Sequence, residues 1–264
     1  TGLILWIYFL ILHLFNRKET RQELTRPPLL SGMATFPMAG MILSTYVFRL
    51  FPHLPLVAQG LWWFSFLLDL VLIAGFTIKF ACPGRRIHAT PSWTVLYVGI
   101  AVAALTYPLV GIIEIAYATL IFGFLLTFYL YPLIYSDLKK QPLPLALLGQ
   151  EGIYCAPFSL LLASLIRVGG ADLPTWLLIV MILASQSFFF FVLTRLPNIL
   201  KQGFQPAFSA LTFPTIITAT SLKMAQGILK LPFLDYLVLV EILICLSILL
   251  FVLVSYLIWL RKKV

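Results

Sequence analysis

Charge is scarce in this chain. Asp, Glu, Lys and Arg together make up 10% of its 264 residues, and only nine residues are acidic. That is too little polar surface to dissolve a chain this apolar, so a water-soluble globule is excluded. Cysteine is nearly absent: Cys82, Cys155 and Cys245 lie far apart, with no CxxC and no neighbouring His. Neither a metal site nor a disulfide scaffold is supported, and the three read as free small hydrophobes. His13, His53 and His88 fall at the ends of apolar runs without a shared spacing, which gives no metal-ligand pattern. There is no HExxH, no GxSxG and no Gly-rich phosphate loop. No catalytic centre and no cofactor site is legible; an intramembrane enzyme would have to be built around Glu151 and Cys155.

What is abundant is apolar sequence, with 61% of residues hydrophobic. The expectation is an all-α integral membrane protein, a single transmembrane domain over 1–264. Nine apolar runs stand out, at 2–15, 29–50, 55–80, 92–111, 115–135, 145–166, 174–194, 207–226 and 234–260. No polar loop separates 92 from 135, yet one helix of that length would measure about 66 Å, about twice the hydrocarbon thickness. The chain must fold back there, at 111–114. Thr1 opens directly in an apolar run, without Met or a charged leader, which reads as a fragment or a trimmed numbering rather than a signal peptide.

The net charge of +9 is not a nucleic-acid footprint, because the basic residues sit in short segments between the runs. Arg17, Lys18, Arg21, Arg26, Lys79, Arg85, Arg86, Lys139, Lys140, Arg195, Lys201, Arg261, Lys262 and Lys263 fall in alternate connections. The others hold only Arg49, Arg167, Lys223 and Lys230. The first set marks the cytoplasmic side and puts the C-terminus inside. Of 17 prolines, the interior ones are Pro37, Pro108, Pro157 and Pro214, each in an outward-running, even-numbered span. The odd-numbered spans read as smoother Leu/Ile/Phe helices. A repeated hairpin of one bent and one straight helix follows, with bent helices inside and straight ones against lipid.

The run AFSALTFPTIITATSLKMAQ, at 207–226, departs furthest from a lipid-facing helix. It carries Pro214 and six hydroxyls, Ser209, Thr212, Thr215, Thr218, Thr220 and Ser221. Two readings stand: a kinked packing helix whose hydroxyls bond back to their own turn, or a helix lining a polar pathway. In a straight-helix projection Ser209, Phe213 and Thr220 share one face, and Thr212, Ile216, Ala219 and Lys223 another, so no single polar stripe emerges.

Four stretches carry a resemblance: RPPLLSGMATFPMAGMILSTYV (26–47), ATPSWTVLYVGI (89–100), GIYCAPFSLLLASLI (152–166) and LTRLPNILKQGFQPAFSALTFPTIITATS (193–221). In this order they resemble the tellurite-resistance/dicarboxylate transporter family. That family includes bacterial TehA proteins, fungal malate permeases and sulfite efflux pumps, and plant slow anion channels. The resemblance implies ten helices in five hairpins of quasi-fivefold arrangement, with odd-numbered helices around a central pore. This chain then lacks the family's first helix, and its own even-numbered spans become the pore-lining set. By position Phe213 corresponds to the phenylalanine that occludes the family's pore, and Pro37, Pro108, Pro157 and Pro214 to its helix kinks. Phe36, Ser209, Thr212, Ile216 and Thr220 are candidate pore-lining residues. The implied partners are small inorganic or organic anions and the lipid bilayer, with a homotrimer in some members. The short tails suit a bacterial cell-membrane protein.

Anion preference does not follow from the kinks, since Pro214 frees the carbonyl of Ala210, which favours a cation. It would come from hydroxyl donors, the cytoplasmic basic loops or Lys223. Asp69, Glu151 and Lys223 are candidates for proton or ion coupling. The alternative for Glu151 is a helix N-terminal carboxylate, for Asp69 and Glu241 an interhelical hydrogen bond or ion pair, and for Lys223 a snorkelling side chain. The function expected is passive anion transport gated by Phe213, against a proton-coupled dicarboxylate, sulfite or tellurite carrier or a non-transporting structural protein.

Overall fold

The computed structural model describes residues 2–16, 24–82, 84 and 86–262. Thr1 and five of the basic residues counted above, Arg17, Lys18, Arg21, Arg85 and Lys263, lie outside the described residues. Every regular element among the described residues is helical, and the chain divides into two compact units, 1–133 and 134–264.

In the first unit α1 (Gly2–Phe15) is followed by α2 (Pro27–Gly32) and α3 (Thr35–Leu50), then α4 (Pro55–Phe76), which runs on into a π-helical turn, Thr77–Ala81. The 92–109 segment is a broken helix: α5 (Ser92–Val98), a 3₁₀ turn at Gly99–Ala101, α6 (Val102–Thr106) and a second 3₁₀ turn at Tyr107–Leu109. Ala101, Ala103 and Ala104 are small enough to bury it completely there. Side chains of the α4 rod and its π-helical turn bind it at three levels. Gln59 Nε2 donates to Leu109 O (3.1 Å), Trp62 Nε1 to Thr106 Oγ1 (2.8 Å), and Thr77 Oγ1 meets Tyr97 Oη at 2.7 Å. Ser31 Oγ donates to Ser92 Oγ (2.7 Å), and Trp6 Nε1 to Phe36 O (2.9 Å). The reversal after this segment lies at Gly111, whose φ of 75° only glycine adopts freely. α7 (Ile113–Lys140) then begins.

In the second unit a long 3₁₀ segment, Leu145–Cys155, leads into α8 (Ala156–Gly169), and α9 (Thr175–Lys201) returns. A 3₁₀ segment, Pro206–Leu211, then leads into α10 (Thr212–Leu229), followed by α11 (Pro232–Arg261). The two 3₁₀ segments pack backbone to backbone. A Cβ on Gly149 would lie 2.4 Å from Ala207 O, and one on Gly152 2.6 Å from Leu211 Cδ2 and 3.0 Å from Ala210 O. Tyr256 of α11 donates its hydroxyl to Pro206 O, which fixes the start of this segment. α10 stops at Lys230, held in the left-handed region at φ 51° with its N–H bonded to Gln226 O, and Pro232 opens α11.

Among the described residues seven helical segments are long and apolar enough to cross a membrane: Pro27–Leu50, Pro55–Ala81, Ser92–Leu109, Ile113–Lys140, Leu145–Asp172, Thr175–Lys201 and Pro232–Arg261. The other two expected runs are helical but fall short of that measure. α1 has 14 residues, about 21 Å of helix, and the segment containing α10 carries its hydroxyls and Lys223. Burial alternates. Of the most apolar stretch, 72% is buried in Ser92–Leu109 and in Leu145–Asp172 and 50% in Pro27–Leu50, against 28% to 39% in the four long odd-numbered spans.

The proline pattern needs correction. None of the four singled-out prolines interrupts a running α-helix. Pro157 occupies the first turn of α8, Pro37 and Pro214 are third residues of α3 and α10, and Pro108 is exposed within a 3₁₀ turn. Their missing N–H groups fall where a helix has just restarted and no intrahelical acceptor is lost. The prolines inside α-helices are Pro132 in α7 and Pro197 in α9, because these helices run on to Lys140 and Lys201, beyond the apolar runs.

Candidate functional site

α10 is packed by α8, α9 and α11 of its own unit on one side and left open on the other. Projected at 100° per residue, Thr212, Lys223, Ile216, Gly227, Thr220 and Phe213 fall, in that angular order, within an arc of about 100°. Thr220, Lys223 and Gly227 are exposed, Ile216 is 37% exposed, and Thr212 and Phe213 are half-buried. Ser209 joins the same stripe because it lies in the 3₁₀ segment, whose period of three places it directly above Thr212. So a single open stripe does exist. The straight α projection missed it by splitting one broad arc in two; Ser209 falls inside that arc by either helical period. Ala219, assigned to that face, is buried at its edge.

The six hydroxyls divide between the two sides of α10. Thr215, Thr218 and Ser221 are fully buried. Ser209, Thr212 and Thr220 belong to the open stripe, where each donates to a carbonyl of its own turn: Ser209 to Pro206 O (3.1 Å), Thr212 to Ser209 O (2.7 Å) and Thr220 to Ile216 O (2.8 Å). Inside, Thr218 Oγ1 lies 2.9 Å from Ser159 Oγ of α8, which lies 2.8 Å from Ser185 Oγ of α9 and donates to Cys155 O at 2.5 Å. This hydroxyl triad ties three helices together at the level of α10's second turn. The Phe213 ring has no ring contact among the described residues, so no stacking partner fixes its rotamer.

The remaining candidates are dispersed. Phe36 is stacked on Trp6 with centroids 4.4 Å apart and lies 5.0 Å from Phe9, which turns its ring against α1. Lys223 donates to Gln226 Oε1 (3.2 Å) and lies 3.7 Å from Asp235 Oδ1 at the start of α11. Glu151 sits within the Leu145–Cys155 segment, short of the α8 N-terminus, and accepts a two-pronged bond from Arg195, Nε to Oε2 and Nη2 to Oε1, both 3.0 Å. Arg195, placed in a loop by its charge, is inside α9. Among the described residues Asp69 shows neither the interhelical hydrogen bond nor the ion pair expected of it, and Glu241 faces the Gln186 amide of α9 without a closed hydrogen bond; they are 0% and 1% exposed and all four carboxyl oxygens lack a partner. Cys155 and Cys245, 90 positions apart, fall in one buried cluster with Phe189, Val192 and Ala219. No group of three His, Cys, Asp or Glu suited to a metal ion occurs among the described residues.

An all-α architecture with buried, broken helices, long apolar rods and one open stripe defines a multi-pass helical membrane protein. The chain belongs to the voltage-dependent anion channel family, whose model matches residues 2–257. That is the family to which the four sequence stretches pointed, and its members are channels and transporters of anions. No curated protein matches the chain significantly.

Proposed function

We propose that the chain conducts small anions passively along the open stripe of α10, with the Phe213 ring as the obstruction. The observation that carries this reading is the stripe itself. Ser209, Thr220 and Lys223 are exposed and Thr212 half-buried on the open face of α10 among the described residues, within an anion channel family. Polar groups at membrane depth belong where they meet protein or water, because lipid satisfies none of them. A phenyl ring among them blocks a hydrated ion by offering no polar partner, and a ring without a stacking neighbour clears the route by changing rotamer. Lys223, although 3.7 Å from Asp235 Oδ1, adds a cation to the stripe, and the basic connections support a cytoplasmic C-terminus in a cell membrane.

Passive conduction is favoured over proton-coupled carriage. Glu151 is held by Arg195, and Asp69 is fully buried and lines no open face. The test is chloride and nitrate flux into proteoliposomes at equal internal and external pH. Phe213→Ala is expected to raise flux about tenfold, equivalent to lowering the barrier by ~1.4 kcal/mol. Negligible flux in both proteins sinks the gate assignment, and flux that appears only with a pH gradient supports the carrier.

A further inference from the structure

Two buried side chains of the second unit take no part in the anion route. Glu241 of α11 is 1% exposed and Gln186 of α9 is 7% exposed. Both carboxyl oxygens of Glu241 and both polar atoms of the Gln186 amide lack hydrogen-bond partners. The amide faces the carboxyl, and the other titratable groups beside it are the thiols of Cys155 and Cys245. Their surroundings are apolar: Cys245 lies one turn along α11 and Phe189 one turn along α9, both in the buried cluster with Val192 and Ala219. Among the described residues no cation lies beside Glu241. An unpaired carboxylate in such a place opposes burial strongly.

The four orphaned atoms match one another only in one protonation state. A neutral carboxylic acid presents one O–H and one carbonyl oxygen, and a primary amide presents an N–H and a carbonyl oxygen. They close a two-bond ring in which Glu241 O–H donates to Gln186 Oε1 and Gln186 Nε2–H donates to the other Glu241 oxygen. An ionised Glu241 has no proton for Gln186 Oε1, and that oxygen stays orphaned in a dry site. We propose that Glu241 and Gln186 form a proton-binding site, in which one proton taken from water locks α9 to α11 as an acid–amide pair. This does not rest on the anion-conducting reading, and its test is independent of flux.

The test is infrared spectroscopy of the purified protein in lipid vesicles, in H₂O and D₂O, with glutamate carboxyl groups isotopically labelled. Wild type is expected to show a labelled carbonyl stretch of an un-ionised acid, shifted by deuterium. Glu241→Gln removes that band and keeps the fold, since an amide–amide pair reproduces both bonds. Gln186→Leu keeps the band and moves it to higher frequency, because the carbonyl loses its donor. Asp69 carries no label and does not contribute. Absence of a labelled acid band in wild type overturns the proposal. So does a band that survives Glu241→Gln, or one that Gln186→Leu leaves in place; the wild-type and Gln186→Leu spectra decide the matter even where Glu241→Gln fails to fold.

Discussion

Removing the Ser159 hydroxyl tests whether the buried triad holds the α8–α9–α10 core together. Ser159 Oγ is the hub: it donates to Cys155 O and lies 2.8 Å from Ser185 Oγ and 2.9 Å from Thr218 Oγ1. With its one proton on Cys155 O, it accepts from Ser185. In Ser159→Ala, Thr218 keeps its bond to Pro214 O (3.0 Å), whereas Ser185, fully buried, is left without a hydrogen-bond partner among the described residues. Orphaning a buried hydroxyl costs about 1–3 kcal/mol, and interhelical hydrogen bonds in membranes average about 0.6 kcal/mol and reach about 1.7. Ser159→Ala should therefore destabilise by about 1–2 kcal/mol. Ser185→Ala should cost under about 1 kcal/mol, because Ser159 keeps its other partners. The double variant leaves no orphan, so it should cost about 1 kcal/mol less than the sum of the singles. Reversible unfolding in mixed micelles, or steric trapping, measures all three. Additivity within about 0.3 kcal/mol would refute the triad as a coupled unit.

The backbone contact between the two 3₁₀ segments predicts that Gly149→Ala is more damaging than Gly152→Ala. The first added Cβ meets the Ala207 carbonyl, which cannot yield, and the second meets chiefly a movable Leu211 methyl. Losses of about 1–3 kcal/mol or failed expression are expected, with Gly227→Ala, in open space within α10, neutral by comparison in thermal unfolding. The Glu151–Arg195 fork predicts an asymmetry that Tm in detergent would reveal. Arg195→Ala strands a Glu151 side chain only 13% exposed and should cost about 2–3 kcal/mol, whereas Glu151→Gln leaves an Arg195 that is 44% exposed and should cost about 1. Equal effects would mean that the fork contributes nothing specific.

Those predictions concern contacts that the sequence does not announce. The helical runs and the reversal at Gly111 are legible because hydropathy and glycine are local signals, and the alternation of buried and lipid-facing spans is legible because small residues cluster in alternate runs. Glu151 and Arg195 could not be paired from the chain, since 44 positions separate them and Arg195 reads as loop until α9 is known to reach Lys201. The stripe on α10 was hidden because its residues spread over about 100° and divide into two narrower faces by type; only the packing of α8, α9 and α11 shows that one side of the helix stays open. Pro214 was visible from the outset, but its harmless position at a helix restart was not. Asp69 and Glu241 were singled out by charge alone, and that they stand without partners is a property of their surroundings.

The hydroxyls on the stripe carry one more consequence. Ser209, Thr212 and Thr220 already point their protons at carbonyls of their own turns. An ion following the proposed route would meet rotors rather than fixed donors. To greet a negative charge each hydroxyl must swing away from a bond of similar strength, so the gain at each step is shallow and quickly reversed. Successive weak stations of this kind would speed transit and prevent lodging along the proposed route.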